Sequence, residues 1–277
     1  MPEIKLETAA WFDDRFYKVK SGGQEFIIPS VTTKLGIEDK PFLYRWYADL
    51  GWEKARKRLN EAGDRGKRIH YAWYIYLMGG IVIYNPFQNP NYSEKDISEF
   101  TTKYNGLISV LSDQDEMVAA WKLQQFFEKT GAKIIDLERN VFSVEDDIAG
   151  TLDDVFFLEK GTYDVNGAKG LVIKESGTYI CDLKSGNFVS ESAWAQIAAY
   201  ERAYISMGKE KPKGGIVLHT SASSRKGIPG FSAELLTSEE LKPHYEIYQH
   251  LAAVWKARNP NLGIKAFQFP KLITKEK

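Results

Sequence analysis

Tyr179-Ile180-Cys181-Asp182-Leu183-Lys184 is the stretch on which the reading of this fold turns. It reads as a β-strand that ends in a charged pair. Residues two apart on a strand share a face, so Asp182 and Lys184 project together while Cys181 and Leu183 face the other way. The same texture extends upstream. Strands are expected over Lys133–Leu137, Asn140–Val144, Gly150–Leu158 and Leu171–Ile173, with a hairpin-like connection across Gly161–Gly170. Downstream come a helix over about 190–206, a buried-type strand at Gly215–His219 and a further strand at Phe231–Leu235. A last helix is expected from Thr237, where Glu240 three residues on completes a capping box, and it ends before Asn259-Pro260.

The N-terminal part has a different character. Residues 1–29 read as short β segments, with Ser21-Gly22-Gly23 turning between Trp11–Val19 and Glu25–Ile28. Residues 41–62 look helical with an interruption at Gly51. A second helix is expected from Asp64, as N-cap, to Met78 before Gly79-Gly80. The Asn, Pro and Ser clusters of 84–101 read as a loop, and a third helix fits 116–130, closed by Gly131. This order predicts one α/β domain: N-terminal β segments and a helical region over 1–130, a core with a central mixed sheet flanked by helices over 131–260, and a tail over 261–277.

Composition narrows the functional classes. Of 277 residues 43% are apolar, enough to bury a sizeable core, and Lys plus Arg equals Asp plus Glu at 37 each. A basic body is excluded, so any contact with nucleic acid rests on a local patch. The single cysteine, Cys181, excludes a disulfide framework and a four-cysteine zinc or iron–sulfur site within the chain. No run of about 18 apolar residues occurs, so no membrane partner is expected and the location is read as cytoplasmic.

Four groups of residues carry candidate chemistry. A carboxylate and an ammonium on one strand face, Asp182 and Lys184, suit phosphodiester hydrolysis: the first holds a divalent metal, the second serves the attacking water. Asp-x-Lys alone equally describes a surface ion pair. Upstream, Gly150-Thr151-Leu152-Asp153 offers a glycine for close approach and a second metal carboxylate in Asp153; Asp154 points the other way in a strand. Gln196 and Tyr200, four apart, share a face of the following helix and can bind phosphate or support a metal; core packing of Tyr200 is the plain alternative. Arg65-Gly66…His70 places glycine and histidine on one helical face, where His70 can ligate a metal or, as most helical histidines do, serve the structure. His219, His244 and His250 read as structural. Lys54, Arg56, Lys57, Arg58, Arg65, Lys67 and Arg68, with Arg225 and Lys226 farther on, are the basic residues available to a DNA backbone. Trp52 and Tyr74 are candidates to stack on bases, whereas Trp73 and Tyr76 are expected in the core.

Taken in order, Pro29-Ser30-Val31-Thr32, Lys40…Leu43…Trp46, Arg65-Gly66…His70, Gly150…Asp153, Asp182-Leu183-Lys184 and Gln196…Tyr200 resemble the RecB-like and Cas4-like branch of the PD-(D/E)XK nuclease superfamily. They look most like the exonucleases related to the mitochondrial genome maintenance exonuclease and their phage-encoded relatives. The resemblance spans residues 29–200. It implies a restriction-endonuclease-like core and a Mg²⁺- or Mn²⁺-dependent DNA exonuclease acting on linear or single-stranded DNA in recombination, repair or replication. A structure-specific endonuclease, or a non-catalytic DNA-binding protein keeping the fold, are the alternatives. It further implies His70, Asp153, Asp182 and the Leu183 carbonyl as metal ligands, Lys184 at the attacking water, and Gln196 and Tyr200 supporting the site. The family spacing selects Asp153 over Asp154, and Glu138 resembles a glutamate that often precedes the glycine-aspartate motif. The iron–sulfur subtype departs from this chain, and ATP is not expected. The long interval between Asp153 and Asp182 requires the hairpin at 159–178 to loop away from the metal.

Overall fold

The computed structural model describes residues 7–11, 14–165, 170–186, 189–220 and 231–262. It opens with an antiparallel sheet of β1 (Glu7–Trp11), β2 (Asp14–Ser21) and β3 (Gln24–Pro29). Gly22 and Gly23, at φ +58° and +78°, make the two-residue turn that sets Ser21 opposite Gln24. Ser30 then caps the short helix α1 (Val31–Leu35), its side chain accepting from the Thr33 N–H at 2.9 Å.

The helical region departs from expectation in two places. Gly51, at φ +77°, does separate α2 (Pro41–Leu50) from α3, but α3 runs unbroken over Trp52–Leu77. Asp64 starts no helix; it pairs with Lys67 within α3 at 3.0 Å. Gly63 and Gly66 each cost about 1 kcal/mol in a helix interior. That cost is outweighed because the C-terminal half docks through Ile69, Ala72, Trp73 and Ile75, all buried. The N-terminal half, apart from Ala55, lies largely in solvent. The second departure is in 84–101. The Asn/Pro cluster is a connector only, between β4 (Ile81–Tyr84) and α4 (Glu94–Lys103), and β4 pairs in parallel with β5 (Ile108–Leu111). Ser93 and Asp96 cap α4 reciprocally, with Asp96 in the place where glutamate is usual. Helix α5 (Gln114–Thr130) follows, with Gly131 in the left-handed conformation at its end.

The remainder builds the central sheet. β6 (Lys133–Ser143) is one strand rather than two, bent by a register shift between Ile134 and Asp136 and by Glu138 at φ +43°. β7 (Ile148–Leu158) precedes a small antiparallel pair, β8 (Gly161–Tyr163) with β9 (Leu171–Ile173), before β10 (Gly177–Lys184). After α6 (Ser192–Ser206) come β11 (Gly214–Thr220), β12 (Phe231–Thr237) and α7 (Ser238–Arg258), the last capped by Thr237 and Glu240 as expected. The sheet order is β12-β11-β10-β7-β6; β10 and β11 are parallel and the other neighbours antiparallel. The chain is therefore an α/β protein with a mixed five-stranded sheet.

Helices α1, α6 and α7 pack on one face of that sheet and α3 and α5 on the other. Small residues bring α6 close: Ala195, Ala199 and Ala203 are fully buried, and a Cβ on Gly215 would stand 2.3 Å from Ile197 Cγ2. The β7–β10 ladder runs from Leu158 opposite Gly177 to Asp154 opposite Cys181. The β8–β9 hairpin thus leaves from one end, and Asp153 and Asp182 lie at the other, as the long interval between them requires. No helix among the described residues is long and apolar enough to cross a membrane.

Candidate metal centre

The site forms where β7 and β10 part. Their pairing ends at Asp154–Cys181. The N–H of Leu183, beyond that point, goes to a side chain: Asp153 Oδ2 accepts it at 2.8 Å. A buried backbone donor left over at a strand divergence must find a partner, and here the partner is a carboxylate. Strand β7 also loses its strict alternation at this point, since Leu152 and Val155 both pack on the α6 side. Asp153 and Asp154 consequently have separate fates. Asp154 is buried beneath α3, its Oδ2 accepting from Trp73 Nε1 at 2.9 Å. Burial, and then the Asp153 charge, push its carboxyl well above the usual range. Trp73 and Tyr76 stack on each other in the core, as expected.

Helix α3 lies along the end of β10. A Cβ on Gly66 would meet Ser185 Oγ at 3.1 Å, which explains a glycine there, and Arg65 Nη2 donates to the Ser185 carbonyl at 3.1 Å. One turn on, His70 Nε2 is 3.1 Å from the Leu183 carbonyl and Nδ1 is 3.7 Å from Asp153 Oδ1. A carbonyl only accepts, so Nε2 carries a proton. Nδ1 is the ring nitrogen turned toward Asp153. Glu138, opposite Asp153 on β6, completes a group: one donor atom each from His70, Glu138 and Asp153 lie within 4.8 Å of one another. Two ligands of one small divalent cation stand roughly 3 to 4.5 Å apart, so these are the residues among those described that could hold a cation. Desolvation and the Asp153 charge hold the Glu138 carboxyl above its ordinary value, against His70 and Arg15.

On the other side of Leu183 lies a closed polar ring. Lys184 Nζ is 2.8 Å from Asp182 Oδ2 and donates to Gln196 Oε1 at 3.2 Å; Gln196 Nε2 donates to Asp182 Oδ1 at 3.0 Å. Burial raises the Asp182 carboxyl to about 6, with Lys184 opposing and Asp153 reinforcing the shift. For Lys184, burial works against the ammonium, but Asp182 outweighs it and the pKa stands above the ordinary value. Tyr200, one turn from Gln196, is buried against Gly150, where a Cβ would come within 2.4 Å of Tyr200 Cε1.

The structure thus gathers His70, Asp153, Asp182, Lys184, Gln196 and Tyr200 around the end of β10. Within that gathering the cation-like group is His70, Asp153 and Glu138. Asp182 is engaged by Lys184, and the Leu183 carbonyl is engaged by His70 as a partner that orients the ring. Glu138 is thus more central than its sequence context suggests; its isolated left-handed conformation within a strand is invisible to alternation patterns. The basic residues divide. Arg65 is spent on Ser185, and Lys67 pairs with Asp64 on the surface. Arg68 makes a bidentate pair with the buried Glu116 of α5, which commits it to packing. Lys54, Arg56, Lys57 and Arg58 line the exposed half of α3, and Trp52 stacks on Tyr47 there. Arg225 and Lys226 lie outside the described residues. No protein-family model matches the chain, and no curated protein matches it.

Proposed function

We propose that the chain is a Mg²⁺- or Mn²⁺-dependent DNA exonuclease on a restriction-endonuclease-like core, acting on linear or single-stranded DNA in recombination, repair or replication. The observation that carries this reading is the junction at Leu183. Its N–H is taken by Asp153 and its carbonyl by His70, and the Asp182–Lys184 pair stands on the next residues of the same strand. Carboxylates from two separate strands thereby stand on either side of one residue, with an ammonium paired to one of them, an arrangement suited to metal-assisted hydrolysis of a phosphodiester.

His70, Glu138 and Asp153 would hold the cation, with Asp182 beside them. When bound, it would supply Lewis-acid stabilisation of the phosphorane-like charge and a water of lowered pKa. Lys184, an ammonium with donors only, orients the attacking water by donating a hydrogen bond to its oxygen. Gln196, bonded to both Asp182 and Lys184, keeps the two in register. Hydrolysis adds water across the bond, and the 3′ oxygen leaves with a proton.

The test is incubation of purified protein with end-labelled linear and covalently closed circular DNA, with and without Mg²⁺ or Mn²⁺. Digestion of the linear form alone, only with metal, is expected. Cutting of the circle would replace exonuclease by endonuclease; retained DNA affinity with no cleavage would leave a binding protein.

A further inference from the structure

β11 runs parallel to β10 and in register with it: Asp182 stands beside Val217 and Lys184 beside His219. Partners in a ladder send their side chains to the same side of the sheet. Val217 packs under α6, whereas Ile216 and Leu218 pack with Leu183 on the α3 side. His219 therefore shares the face of Asp182 and Lys184, one strand across from the ammonium. Its Nε2 is 2.6 Å from the Gly186 carbonyl, which can only accept, so the ring donates. The preceding carbonyl, that of Ser185, accepts from Arg65 of α3 at 3.1 Å. The chain leaving Lys184 is gripped at two successive carbonyls from opposite faces of the sheet.

We infer that His219 is a positioning residue for the reaction proposed above, fixing the backbone just past Lys184 so that the ammonium is held at its base as well as at its tip. The tip is fixed by Asp182 and Gln196. The base is fixed by Arg65 and His219. Lysine has a long, rotatable stem, and a misplacement of about 1 Å in a reacting group can cost roughly a hundredfold in rate. A histidine that merely filled space would not need a donor aimed at that carbonyl.

The inference rests on the nuclease reading, so its test has one arm that needs no DNA. Amide hydrogen exchange at Ser185 and Gly186, without metal or substrate, is expected to quicken about tenfold in His219→Ala and to stay at the wild-type rate in His219→Gln, whose amide nitrogen reaches about as far as Nε2. In cleavage assays His219→Ala should lower kcat about tenfold with KM and Mn²⁺ affinity within twofold, and His219→Gln should recover to within about threefold. Unchanged exchange in His219→Ala, a glutamine variant as impaired as alanine, or a loss confined to KM would each overturn it. A wild-type protein inert on DNA would remove the nuclease reading, while the exchange arm would still decide whether the grip exists.

Discussion

The two sides of Leu183 differ in how they handle charge. On one, His70, Glu138 and Asp153 stand partly in solvent, with two carboxylates and a ring nitrogen facing one another. On the other, Asp182 is buried, paired with the Lys184 ammonium and hydrogen-bonded by Gln196. The first group sets two carboxylates and an imidazole close together, whereas the second pairs its carboxylate with an ammonium. On the reading proposed above, the first side would bind the cation and the second holds an ammonium still.

Replacing Lys184 with Ala should break the contrast most severely. Cleavage is expected to fall by about three orders of magnitude or more, a loss of at least roughly 4 kcal/mol in transition-state stabilisation. Mn²⁺ affinity and folding should remain near wild type, as read by calorimetry and circular dichroism. Wild-type rates in that variant would remove the lysine from the chemistry. Next in size, Asp153→Ala should weaken Mn²⁺ binding about a hundredfold and cost the metal-free protein about 1 kcal/mol, because the Leu183 N–H loses its acceptor. Asp182→Ala should also lose metal binding, but at an added cost of about 1–3 kcal/mol, because it strands a largely buried ammonium. Equal melting temperatures for these two variants would contradict the division.

The pH dependence follows from Asp182. Its folded value of about 6 exceeds the ordinary 3.8, so the folded protein holds that proton more tightly than the unfolded chain. The stability this gives to the metal-free protein is complete below about pH 4 and lost as pH rises through about 6. Cation binding runs the opposite way, because ligands must be ionised. Mn²⁺ affinity should therefore be about tenfold weaker at pH 5 than at pH 7 by titration calorimetry; a flat profile would exclude Asp182 from the cation's environment. The smallest effect is expected for Glu138→Gln. The most exposed of the three donors, it should cost Mn²⁺ binding roughly three- to tenfold, and no loss would return the site to His70 and Asp153 alone.

The elements of the core were legible because their signals are local. The β-rich runs across 150–158 and 179–183, the Thr237–Glu240 cap and the Gly131 stop need no distant partner. The fate of Gly63 and Asp64 was not legible, since α3 persists through them only because its far half docks on a sheet made 70 residues later. Likewise, the small α4 hides behind Asp96 where glutamate signals a cap. In the site, face-sharing of Asp182 with Lys184 follows from strand period alone. That Asp153 and Asp154 face apart follows from the same period, but which of them meets Leu183 depends on where β7 and β10 diverge, and the prominence of Glu138 on a single left-handed residue in β6. Both are properties of pairing between strands, which one strand's sequence does not carry.

Leu183 is engaged at both ends of its backbone, as donor to Asp153 and as acceptor from His70. What it contributes there are atoms common to every amino acid save proline's missing N–H. Replacing Leu183 with alanine would report the loss of a buried core side chain and leave untouched the backbone atoms that make it the seam between the two halves of the site. Only chemistry that edits the main chain, such as an ester in place of the amide, would expose how much hangs on it.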